Sequence, residues 1–155
     1  MSYIIGILLD RIDTTAQFTL GEIGQTSDGK VYKYIKYEQA AAAVDGVADE
    51  VAYYAKVAVG DATGTIVTSD LSDSDEVGAG VLQASLTDGD FGWIQVKGLA
   101  TLSITLTAGA DGDNLTPTGA GDGTLDVNIA TAADTNICAT AMDASADIIM
   151  CNFVH

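Results

Sequence analysis

Basic side chains, cysteine, histidine, proline and tryptophan are all scarce in this sequence. Its 155 residues hold six Lys or Arg, two Cys, one His, one Pro and one Trp. With 22 Asp or Glu the formal net charge is −16. A surface this anionic repels phosphate backbones and anionic lipid, so neither a nucleic-acid nor a membrane partner is expected. The six basic residues all lie in residues 1–97, and residues 98–155 carry seven acids and no Lys or Arg. Two cysteines, Cys138 and Cys151, do not make a disulfide framework; they are expected as buried thiols, kept reduced in a cytoplasm. The single histidine, His155, closes the sequence, where an imidazole is hard to hold in the geometry of proton transfer. With no Ser–His or Cys–His arrangement, an enzyme is not expected. No run reaches the 18 or so apolar residues of a membrane helix. The start, MSYIIGILLD, lacks the positive flank of a signal peptide.

What is present is strand-forming and turn-forming. Hydrophobic residues make up 48%, mainly Ala, Val, Ile and Leu, and there are 17 glycines. That balance fits one domain of many short strands joined by Gly/Asp turns. Residues 1–20 read as an extended N-terminal arm ordered by a neighbour, ahead of a single β domain over 21–155. TSDGK is an Asp-Gly turn leading into the strand VYKYIKYEQ, residues 31–39. Along it Val31, Lys33, Ile35 and Tyr37 share one face and Tyr32, Tyr34 and Lys36 the other, so both faces should meet something. Residues 40–50 are the best helix candidate because Ala has the highest intrinsic propensity, and one or two turns is the most that Gly46 allows. Further strands are expected at 51–59, 65–68, 77–86, 92–98, 101–107, 124–130 and 147–154. TLSITLT should turn Leu102, Ile104 and Leu106 inward. DIIMCNFV, apolar on both faces, reads as a buried central strand. About eight to ten short strands with regular turn signals indicate an all-β sandwich or barrel with at most one short helix.

The acids cluster in turns such as DLSDSDE and ADGDN. Asp111, Asp113 and Asn114, and likewise Asp70, Asp73, Asp75 and Glu76, place oxygens close together. Neither stretch has the spacing of a calcium loop, so Asx turns are the favoured reading and no metal or other cofactor is expected. GAGDG and GAG lack the Lys and the helix of a phosphate loop.

The only Trp lies in GDFGWIQVKG. In a strand Ile94 and Val96 point one way, and Trp93, Gln95 and Lys97 the other. Tyr32, Tyr34 and Lys36, with Trp93, Gln95 and Lys97, are therefore the candidate interface residues, since aromatic side chains are enriched where proteins meet. The alternative is that these rings cap the ends of a barrel.

The segment order resembles that of a known family. FTLGEIGQTSDGKVYKYIKY, residues 18–37, is similar to the opening of the small capsid decoration (cement) proteins of tailed bacteriophages. The carrying residues are Phe18, Leu20 and Gly21, then Asp28, Gly29 and Lys30, then Tyr32, Tyr34, Ile35 and Lys36. VGAGVLQASLTDGDFGWIQVKGLATL, residues 77–102, resembles the family's second block, through Gly78, Gly80 and the run Gly92, Trp93, Ile94, Gln95, Val96 and Gly98. The resemblance implies a non-enzymatic virion protein with a small β-barrel or β-tulip-like fold. It implies a homotrimer on the outer capsid surface that bridges major capsid subunits and stabilises the expanded head after synthesis in the host cytoplasm. On that reading another chain covers Trp93, Tyr32 and Tyr34. The rivals are a head-fibre or tail-associated β module and a free calcium- or glycan-binding module.

Overall fold

The computed structural model describes residues 2–3, 6–39, 41–56, 64–129 and 136–155. Eleven strands run through them: β1 (Ser2–Tyr3), β2 (Ile23–Gln25), β3 (Val31–Tyr37), β4 (Val51–Ala55), β5 (Ile66–Thr68), β6 (Ser74–Leu82), β7 (Phe91–Thr101), β8 (Asn114–Thr116), β9 (Asp126–Val127), β10 (Ala139–Asp143) and β11 (Ile148–Asn152). The helical content described is two single turns of 3-10 helix, Leu71–Asp73 and Ala144–Ala146, so the fold is all-β. No helix among the described residues is long and apolar enough to cross a membrane.

Five strands close on themselves. β3 pairs with β5, β5 with β4, β4 with β6, β6 with β7, and β7 returns to β3. Closure satisfies both edges of each strand in the ring, which an open sheet cannot do. The β3–β5 pair is parallel and the other four are antiparallel. Register shifts in β4–β6 and at Val31/Tyr32 bend the strands as closure demands. At Gly80 a Cβ would lie 2.8 Å from the Gln95 carbonyl oxygen, so only glycine lets β6 come this close to β7.

β7 is longer than the ring needs. Phe91–Lys97 pairs with β3, and residues 97–101 pair with β11, which carries β10, β8 and β9 outward as a second wing. One continuous core fills ring and wing, with Ile35, Tyr37, Val51, Leu82, Ile94 and Ile149 all fully buried. Tyr53 is fully buried too, and its hydroxyl donates to the Thr124 carbonyl (2.5 Å) and accepts from the Thr124 N–H (2.9 Å), tying the 121–124 turn to β4.

Four expectations are corrected. The Ala-rich segment is not a helix: residues 41–43 form a turn, and Gly46 bridges Leu86 through both backbone groups at 2.9 Å. A Cβ at Gly46 would sit 2.6 Å from Leu82 Cδ1, so tertiary packing there outweighs a weak local propensity. Residues 102–107 are not a strand, although Leu102 and Leu106 are buried and Thr101, Ser103, Thr105 and Thr107 exposed as their alternation requires. Their N–H groups go instead to scattered acceptors, Leu102 to Asp147 O and Thr107 to Leu125 O. β11 is buried on one face only: Ile149 and Cys151 point inward, while Met150 and Asn152 are exposed. The strand expected over 51–59 ends at Ala55, and residues 57–59 lie outside those described.

Both cysteines are buried and free. Ala139 lies opposite Cys151, and the Asn152 N–H donates to the Cys138 carbonyl, so the two sit on adjoining strands. Burial pushes the Cys151 thiol up to about 12 and that of Cys138 higher still, which keeps both neutral.

Candidate functional site

The six candidate residues come together on the β3–β7 ladder. Tyr32 lies opposite Gln95, Tyr34 opposite Trp93, Lys36 opposite Phe91 and Val31 opposite Lys97. Alternation does place Ile94 and Val96 in the main core, with Trp93, Tyr32 and Tyr34 in a separate cluster on the opposite face.

That second face is covered by the chain itself. Ile7, Leu9 and Phe18 pack on the cluster, leaving Trp93 1% exposed, Tyr34 0% and Tyr32 5%. Residues 6–20 are therefore not a free arm reaching to a neighbour, and no second chain is needed to hide the indole. The Phe18 ring lies 5.1 Å from Tyr34, edge-on, and 5.3 Å from Trp93; Tyr34 and Trp93 are themselves 5.1 Å apart. Offset and edge contacts at these separations add to area burial.

Polar contacts fix the covering segment. Asp13 and Phe91 exchange backbone hydrogen bonds at 2.9 and 2.8 Å. The Tyr34 hydroxyl donates to Asp13 Oδ2 (2.7 Å) and accepts from the Gln17 N–H (3.2 Å). Arg11 pairs with the other oxygen of Asp13 at 2.6 Å, and its guanidinium stands 5.5 Å above the Phe18 ring. Burial, reinforced by the bond to Asp13, pushes the Tyr34 phenol up to about 12. Trp93 Nε1 is buried with no partner among the described residues. Such an orphan costs about 1–3 kcal/mol, so apolar and ring contacts hold the indole in place.

The remaining candidates divide. The Gln95 amide, 3% exposed, donates to the carbonyls of Lys97 (3.3 Å) and Leu99 (2.9 Å). Lys36 is half-buried and pairs with Glu38 at 3.1 Å. Lys97 is exposed. Of the six, then, only Lys97 stands fully open to a partner.

Sequence reasoning missed the cover and a buried cation. Asp13 lies 21 positions from Tyr34 and 78 from Phe91, Phe18 lies 16 from Tyr34 and 75 from Trp93, and only the apolar character of residues 7–9 hinted at the cover. Lys33, placed with Ile35 and Tyr37 on the core face of β3, is 7% exposed. It donates to Gly64 O (2.7 Å) and to the Tyr54 hydroxyl (3.1 Å), above whose ring it lies at 5.0 Å.

The acidic turns are organised by backbone N–H groups, some within the turn and some from other segments. Asp70 accepts from the Ser72 N–H (2.9 Å), Asp73 from Ala41 (2.8 Å), Asp111 from Ala144 (2.9 Å) and Asp113 from Ala110 (2.8 Å). Among the described residues no three His, Cys, Asp or Glu side chains gather as metal ligands would. A groove of about 410 Å³ opens where β6 and β11 part along β7, lined by Lys30, Tyr32, Gln83, Gln95, Leu99 and Ile148 among others.

Comparisons with protein-family models, with curated proteins and with solved structures returned no match.

Proposed function

We propose that this chain is a capsid decoration protein of a tailed bacteriophage. It binds the outer surface of the expanded head as a homotrimer and stabilises the shell by bridging major capsid subunits, without catalysing a reaction. One observation carries the reading. The two blocks that resemble the family, 18–37 and 77–102, are hydrogen-bonded neighbours in register, Tyr34 against Trp93, and together they supply β3, β7 and most of β6, three of the five strands of the ring. Residues that share a resemblance and also form one packed unit make a more demanding coincidence than two separate sequence matches.

The charge supports the same placement. The interior of a filled head is dense with phosphate, so a chain of net charge −16 is better accommodated outside. Repetition over a shell acts as linked binding, so modest affinity per copy suffices. The test is to add the purified chain to expanded heads of the phage that encodes it, stripped of this protein. The expected result is saturable co-sedimentation and shells more resistant to heat or chelator. Heads that neither bind the chain nor gain resistance would sink the proposal.

A further inference from the structure

The outer face of β7 is half covered. At Trp93 the 6–20 segment lies over it, and past Gln95 the cover ends. There Leu99 is 46% exposed, and directly opposite it on β11 Met150 is 38% exposed. Thr140 of β10 lies opposite Met150 on the far side. One step along, Ile148 faces Thr101 on one side and, through a register shift in β10, Asp143 on the other, with Met142 beside it 49% exposed. Three strands thus present Leu99, Met150 and Met142 to the outside on one side of the wing. On a chain this acidic, an apolar strip here is not what solubility alone selects.

The ends of this face carry opposite charge. Lys97, opposite Asn152, stands at one end, and Asp143, opposite Ile148, stands at the other. Asp143 is held ionised at its end by hydrogen bonds from Ser145 and Ala146. The cation end of this face is complementary to the carboxylate end of the same face on another copy.

We propose that the β7–β11–β10 face, centred on Leu99 and Met150, is where a second copy of this chain docks, with the Lys97 end of one copy against the Asp143 end of the next. Head-to-tail contacts of this kind close into a ring when the rotation allows. In such a ring Leu99, Met150 and Met142 of successive copies gather around the axis and the charged ends pair between neighbours at the rim, an apolar centre with a polar rim. The inference deepens the homotrimer part of the decoration reading, on which it rests for the number of copies. It moves the self-contact from Trp93 to Leu99 and Met150.

Sedimentation velocity on the full chain over a range of concentrations tests it. The expected result is an oligomer that Met150→Glu dissociates, weakening assembly about tenfold or more, with the thermal unfolding of the separated chain unchanged. Lys97→Glu weakens assembly as well, and pairing it with Asp143→Lys in the same chain restores it. A chain that is monomeric at every concentration overturns the inference, and so does an oligomer indifferent to both Met150→Glu and Lys97→Glu. Co-sedimentation with expanded heads is measured on the same samples. A monomer that binds heads refutes this face and leaves decoration standing; an oligomer broken by Met150→Glu that ignores heads does the reverse.

Discussion

The Tyr34 hydroxyl donates a 2.7 Å hydrogen bond to the carboxylate of Asp13, and through it the covering segment is fastened to the barrel. The bond links a strand of the ring to a segment with little regular structure of its own. It lies where ring packing and an ion pair with Arg11 converge.

Tyr34→Phe keeps the ring and removes the donor. Because the acceptor is a charged group left 7% exposed, the loss should be about 1–3 kcal/mol, seen as a lower midpoint in urea with little change in slope. An unchanged midpoint would mean that the aromatic contacts alone secure the segment.

Trp93 belongs to the folded unit and not to an outside contact. Trp93→Ala should cost about 3–5 kcal/mol, as for other large buried rings. The native indole should fluoresce at short wavelength and resist an aqueous quencher. Removing residues 1–20 should shift the emission to longer wavelength and open the indole to quenching, since Ile7, Leu9 and Phe18 are its cover.

High pH should unfold the protein through its tyrosines. Burial raises Tyr34 and Tyr54 from the ordinary value of 10.0 to about 12, and raises Tyr53, Tyr37 and Tyr32 as well. A raised value means that the folded state holds the proton more tightly. The stability this contributes is therefore fully present below pH 10 and falls as pH rises from 10 through 12. Equilibrium unfolding followed by circular dichroism at stepped pH checks this, and a stability flat from pH 9 to 12 would contradict it.

Gly46→Ala should destabilise the protein by about 1–3 kcal/mol, because the added methyl meets Leu82 and the Tyr37 ring and neither is free to move. The same change would stabilise a solvent-exposed helix, so thermal unfolding of this one variant separates the observed turn from the helix that composition suggests.

Local pattern carried far along this chain. The alternation in VYKYIKY and GWIQVKG sorted Tyr32, Tyr34 and Trp93 from Ile35, Ile94 and Val96 correctly, because side-chain direction in a strand follows from the backbone alone. In TLSITLT the alternation of burial held while the ladder did not. Burial there is a property of the side chains, whereas pairing needs a partner edge, and the N–H groups found turns and loops instead. Alanine in residues 41–43 signalled a helix because propensity takes no account of Leu82 and Tyr37 pressing on Gly46.

The sequence by itself determined an all-β chain, two-faced central strands, buried thiols and an acidic surface, each a consequence of residue type or of the two-residue period of a strand. Only the tertiary structure decided what lies on the second face. Covering Trp93 takes contacts across some 75 to 86 positions, from Ile7 and Phe18 to β7, and exposing Leu99 beside Met150 depends on a strand pairing some 50 positions apart. Contacts at such separations are selected by the free energy of the whole packed chain, and no local run of residues records which partner was chosen.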